Sequence, residues 1–141
     1  MVSFFDASAI VPLLIDEPST ARCTAAWDEA PYVVSSAIAF VEVHAALAQA
    51  RRQGRLDDIS HRRAIADFDP IWEDMVQVPV DGAVIRHAAT LSASHALRGY
   101  DAVHCATALA VASDDFVAVS GDRDLLRAWS DLGIATIDTA G

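Results

Sequence analysis

Near its start the chain reads Phe4-Phe5-Asp6-Ala7-Ser8-Ala9-Ile10, where a short apolar run meets an acid at the sixth residue and a helical pattern begins at once. Such a run, stopped by a charge, reads as a buried strand with an acid at its end. The pattern recurs. Tyr32-Val33-Val34, Val76 to Val80, Phe116 to Val119 and Ile134 to Ile137 read as further short strands, rich in β-branched and aromatic residues. Strands alternating with helical stretches predict an α/β fold of three layers, with a mostly parallel central sheet of four to five strands flanked by helices.

The helical stretches carry their own stop and start signals. Ala7 to Ile15 follows Asp6 directly, with Pro12 ending or bending its first part. Ser19 or Thr20 caps a helix to about Glu29, and Ser35 and Ser36 offer caps for one from Ala37 to about Gln53, closed by Gly54. Asp57 to Asp74 is helical but weakened by Pro70, and Asp81 or Gly82 opens a helix to about Leu97. After Gly99, helices are expected from Asp101 to about Ala112 and from Asp122 to about Ser130. Pro79 suits an edge strand or a strand end better than a sheet centre. With no internal repeat or linker, the 141 residues are expected to form one domain over 1–141.

Charge restricts the function classes. The formal net charge is -10, which opposes binding to nucleic acid unless divalent cations reverse the sign locally. All ten basic residues are arginines, and Arg51, Arg52, Arg55, Arg62 and Arg63 place half of them in one 13-residue window. That patch either touches a phosphate backbone or is a solvated helix hairpin. No run of about 20 apolar residues suggests a membrane span, and Asp6 interrupts any secretory signal, so a cytoplasmic protein with no membrane partner is expected. Cys23 and Cys105 lack metal-knuckle spacing and read as buried free thiols.

In an open parallel sheet the crevice lies beyond the carboxyl ends of the strands, so acids just after strands are the ones to weigh. Asp6 follows the first strand, and Asp122 and Asp124 follow the fourth in Ser120-Gly121-Asp122-Arg123-Asp124-Leu125. Asp101 opens the helix leading into that fourth strand. Each of these aspartates also suits a helix start, where a carboxylate accepts free backbone amides. Glu42 is different. It is expected about two turns inside its helix on a face shared with Ile38, Ala45 and Ala46, where a carboxylate is costly unless a cation or donor meets it. Clustered acids would repel one another without a cation, and hard oxygen ligands suit Mg2+ or Mn2+ in phosphodiester hydrolysis.

Four segments taken in order carry a family resemblance: Phe5-Asp6-Ala7-Ser8-Ala9, Ala39-Phe40-Val41-Glu42-Val43, Tyr100-Asp101-Ala102-Val103-His104-Cys105-Ala106-Thr107-Ala108 and Ser120-Gly121-Asp122-Arg123-Asp124-Leu125. Together they resemble the PIN-domain ribonucleases, specifically the VapC-type toxins of toxin-antitoxin pairs, over nearly the whole chain. The resemblance implies that Asp6, Glu42, Asp101 and Asp122 bind metal, with Asp124 a catalytic accessory and Ser120 a nearby hydroxyl. It also implies a homodimer that cuts RNA with Mg2+ or Mn2+ and is silenced by a small cognate antitoxin. Arg51, Arg52 and Arg55 are the candidate substrate contacts. The family's first motif often has a hydroxyl residue directly after the Asp; here that position is Ala7, with Ser8 next.

Two other readings compete. A haloacid-type phosphatase shares the early Asp and the late Gly121-Asp122, but Ser8 stands where its second acid belongs and the chain has no lysine to hold a phosphoryl group. A silent binding module would use the acids only as caps or as a receptor for a basic partner. His104, three residues after Asp101, reads as a satisfied, partly buried histidine; Trp27, Trp72 and Trp129, with Phe40 and Phe68, read as core or dimer contacts.

Overall fold

The computed structural model describes residues 1–141. Five strands, β1 (Val2–Phe5), β2 (Tyr32–Ser36), β3 (Val76–Val78), β4 (Phe116–Ser120) and β5 (Ala135–Asp138), form one sheet in the order β3-β2-β1-β4-β5. Every pairing is parallel, so the sheet is wholly rather than mostly so. Period-two alternation along the strands divides the core. Phe4, Val34 and Ala118 point to one face, and Phe5, Val33 and Val119 to the other.

Helices close both faces. On the first, α5 (Gly82–Ser94), α6 (Gly99–Val111) and α7 (Arg123–Asp131) bury Val84, Ala102 and Trp129. On the second, α1 (Ala7–Ile10), α2 (Thr20–Glu29), α3 (Ala39–Arg52) and α4 (Asp58–Asp74) bury Ile10, Cys23, Leu47 and Phe68. Trp129, Phe4, Phe5 and Phe68 are fully enclosed. Burying side chains of this size stabilises by roughly 1.5–3 kcal/mol each, before the entropy of ordering them is subtracted.

Several boundaries differ from expectation, each for a local reason. Pro12 ends α1 early, and the chain continues as a 3-10 turn over Val11–Leu13 with the proline in its first positions. Ser35 and Ser36 are strand residues rather than caps, because Ser35 Oγ donates to the Phe5 carbonyl (2.6 Å) across the sheet. Helix α3 therefore starts at Ala39, and Glu42 falls in its first turn rather than two turns in. Gly99 is the first residue of α6, so Asp101 lies inside the first turn and does not open the helix. Helix α5 stops at Ser94, ahead of a turn in which Ala96 adopts a left-handed φ of 52°.

Strand β3 ends at Val78, before Pro79, and is an edge strand as the proline requires. Helix α4 runs unbroken through Pro70 to Asp74, its last turn held by Trp72 packing on Phe68 and Phe40.

The strand order places the functional crevice. From β1 the chain steps outward through β2 to β3, then crosses to β4 on the opposite side of β1. The direction of winding reverses between β1 and β4, and an open sheet splits at such a point beyond its carboxyl ends. Asp6 ends β1 and Gly121-Asp122 follows β4, so both acids stand at this switch.

Candidate active site

Asp6 is 4% exposed, and its carboxylate is enclosed by donors. Oδ1 accepts from Ser8 Oγ (2.7 Å) and from the Ala9 amide (3.2 Å), while Oδ2 accepts from Ser120 Oγ (2.8 Å). Counting protons fixes the pattern, since a hydroxyl has one to give. With both spent on Asp6, the serine oxygens are left to accept, and each takes one amide of the β4–α7 turn. Ser8 Oγ accepts from Gly121 (2.8 Å) and Ser120 Oγ from Asp122 (2.9 Å). Two hydroxyls therefore tie the first acid to the loop that bears the last one. Burial pushes the Asp6 carboxyl above the usual range, and the charge of His104 and the serine and amide hydrogen bonds pull the other way.

Asp122 caps α7 through the Leu125 amide (3.0 Å) while its other oxygen faces Arg98. Arg98 Nε donates to Asp101 Oδ2 (3.1 Å) and its Nη2 to Asp122 Oδ2 (3.4 Å), so one guanidinium spans the acids of α6 and of the β4–α7 turn. The carboxyl of Asp101 is held above its ordinary value by burial and by repulsion from Asp122, with Arg98 opposing.

Glu42 meets His104 Nε2 in a short hydrogen bond, which supplies the donor that a carboxylate among apolar residues requires. His104 is 2% exposed, with Phe4 edge-on beside it at 6.2 Å. Burial lowers its pKa, but the hydrogen bond it donates to Glu42 and the charges of Asp6, Glu42 and Asp101 outweigh that and raise it. The imidazole thus lies within the field of three of the four expected ligands.

The remaining candidates lie further out. Asp124 is exposed and pairs along its own helix with Arg127 (3.0 Å). Arg51 and Arg52 are exposed in the last turn of α3, roughly 14–15 Å along the helix from Glu42 at 1.5 Å per residue. Arg55 pairs with Glu17 (2.9 Å). A cavity of about 470 Å3 opens beside Ser8, Glu42 and Gly121 and extends past Ala46, Glu17 and Thr139.

The donor set suits a hard divalent cation, because it offers carboxylate and hydroxyl oxygens and no sulfur. No three of its side chains already stand in ligating geometry. Each acid is instead answered by an internal donor: Asp6 by two serines, Glu42 by His104, Asp101 and Asp122 by Arg98. Of those partners the sequence reading leaves Arg98 unmentioned and names Ser8 and His104 without tying either to an acid. Arg98 sits beside a glycine taken as punctuation, Ser8 occupies a displaced position in its motif, and His104 is 62 residues from the acid it serves.

Known proteins share this fold. A family model described as PIN domain matches residues 3–129. Ribonuclease VapC45 of Mycobacterium tuberculosis is 41% identical over 122 residues, which cover 86% of this chain and 85% of that protein. Among solved structures, a toxin-antitoxin complex from Klebsiella pneumoniae superposes with a TM-score of 0.64 at 14% identity, covering 97% of both chains. FitAcB from Neisseria gonorrhoeae gives 0.67 at 18% identity and covers 99% of both. The last two are likenesses of fold, while the family match and the 41% identical relative place the sequence itself: the chain belongs to the PIN-domain family, in its VapC-type branch.

Proposed function

We propose that the chain is an endoribonuclease toxin that hydrolyses RNA phosphodiester bonds by water attack at a Mg2+ or Mn2+ site, with Asp6, Glu42, Asp101 and Asp122 as the ligands. The observation that carries this is the pair of reaches closing the acid group: Arg98 between Asp101 and Asp122, and His104 between Glu42 and the field of Asp6. Acids from four separate segments are thereby gathered at the sheet's switch point. PIN-domain ribonucleases generally depend on divalent metal. A bound ion supplies positive charge that makes the attacking water more acidic and offsets charge gathering on the phosphate.

The chain's own groups do the rest. Ser8 and Ser120 hold the Asp6 carboxylate in a fixed orientation and keep the β4–α7 turn against it. His104 keeps Glu42 turned inward. Asp124, one helical turn from its partner Arg127, is free to assist at the rim. Arg51, Arg52 and Arg55 are the candidate contacts to the RNA backbone, and the salt dependence of RNA binding measures their part.

The same reading gives the chain a small cognate antitoxin. VapC45 is named a ribonuclease, and the Klebsiella pneumoniae neighbour is a toxin-antitoxin complex. The cavity beside Ser8 and Glu42 and the net charge of -10 favour a partner segment that is basic or aromatic. No helix is long and apolar enough to cross a membrane, which fits a cytoplasmic role. The chain is read as one unit over 1–141 that forms a homodimer, with the partly exposed apolar surface of Phe40, Val41 and His44 available for contact; sedimentation measures this directly.

The deciding experiment compares Asp6→Asn and Asp101→Asn with the unmodified chain on RNA in Mg2+ or Mn2+. Cleavage is expected to fall on the order of 10²–10³-fold in each, the scale on which losing one electrostatic group in a site is felt. Cleavage that survives both substitutions sinks the reading, because these acids would then not carry the activity.

A further inference from the structure

We infer that Arg98 is the site's built-in counter-cation, which holds Asp101 and Asp122 together in the metal-free protein and turns its guanidinium to an RNA phosphate when a divalent ion claims those carboxylates. The inference rests on the metal-nuclease reading above.

Its basis is the placement of one side chain. Arg98 is the residue just before α6, with an extended backbone, and its side chain is 82% exposed. It is nevertheless the one side chain in a salt bridge with Asp101 and with Asp122, which are 14% and 23% exposed in their side chains. Nothing packs the guanidinium in place, and one of its two contacts is long at 3.4 Å. Such a group is held by charge alone and is free to leave when a denser charge arrives.

The turn that presents it is less free. The Arg98 carbonyl accepts the Ala102 amide (2.8 Å) and its neighbour Leu97 is buried in the core, so the base of the arginine is fixed while its tip is not. When it lets go, a planar fork that matched two carboxylate oxygens matches two phosphate oxygens equally well.

Competition for the same ligands has a sign that a merely structural arginine would not produce. Coupling between two cations on one set of carboxylates is reciprocal, so removing Arg98 must tighten the metal. Mn2+ alone, titrated into Arg98→Gln and followed by the loss of its free-ion EPR signal, is expected to bind about 3–10-fold tighter than to the unmodified chain. Arg98→Lys, a single point charge without the fork, should fall between them. RNA binding, followed by fluorescence anisotropy with Ca2+ in place of Mn2+, should weaken about 3–10-fold in Arg98→Gln.

Mn2+ binding that is unchanged or weaker in Arg98→Gln overturns the counter-cation role. Tighter Mn2+ with undiminished RNA affinity overturns the hand-over to phosphate. A control separates the two levels of argument: if Asp6→Asn leaves Mn2+ binding to the otherwise unmodified chain intact, the metal site itself is misplaced and the Arg98 inference falls with it.

Discussion

Replacing Ser120 with Ala tests whether the two serines are the frame of the site. Ser120 Oγ is fully buried, donates to Asp6 Oδ2 at 2.8 Å and accepts the Asp122 amide at 2.9 Å. A hydrogen bond to a charged group contributes about 1.5–3 kcal/mol, and stranding a partly buried amide adds about 1 kcal/mol, so Ser120→Ala should cost about 2–4 kcal/mol. Ser8 makes the same two kinds of bond, to Asp6 Oδ1 and from Gly121, but at the surface, where water replaces it. Ser8→Ala should cost only about 0.5–1 kcal/mol.

The assay is urea unfolding near pH 8, with midpoints compared at constant slope. Repeating Ser120→Ala in an Asp6→Asn background should recover about 1–2 kcal/mol, because the charge that made the bond strong has gone. A cost for Ser120→Ala below about 0.5 kcal/mol, or strict additivity with Asp6→Asn, would refute the frame.

Three further outcomes are expected. Pro70→Ala should stabilise the chain by about 1–2 kcal/mol in the same urea assay, since a proline inside α4 lacks an amide for the helix and its partial offset in the unfolded chain is smaller; no gain would mean that the last turn is held wholly by its aromatic contacts. Burial pushes the Cys105 thiol up to about 12 from its ordinary 9.0, so the folded chain keeps its proton where the unfolded chain loses it. Stability should therefore hold below about pH 9 and decline from there toward pH 12, and Cys105→Ala should flatten that slope, with Cys23, also raised, contributing the remainder. Replacing Arg51, Arg52 and Arg55 together with Gln should lower the salt slope of RNA binding by about 2, or roughly 0.7 per lost phosphate contact; an unchanged slope makes the patch a solvated surface.

Much of the frame was legible before any coordinates. Asp6 and Asp122 were found because a strand end is a local event, written in an apolar run and the charge that stops it. The parallel sheet followed from the alternation of such runs with helices. What escaped was decided by which element lies beside which. Gly99 reads as a breaker in isolation, yet it is the first residue of α6 behind the extended Arg98, and this places Asp101 in the first turn within reach of Arg98. Ser35 and Ser36 look like caps until β2 is seen to continue through them, paired with β3. His104 looked like a satisfied core histidine, and it is satisfied, but by a carboxylate that periodicity on α6 alone had no means of naming.

Strand β1 lies at the centre of the sheet, with β2 on one side and β4 on the other. Asp6 thus meets Ser120, which completes its surroundings, across a separation of 114 residues. Pairings across such a separation close late, because the intervening loop must first be ordered. A partly folded chain therefore carries half a site and no frame to hold it. The central position of β1 makes the site a late product of folding, one that exists only once β4 has closed against β1 and brought Ser120 to Asp6.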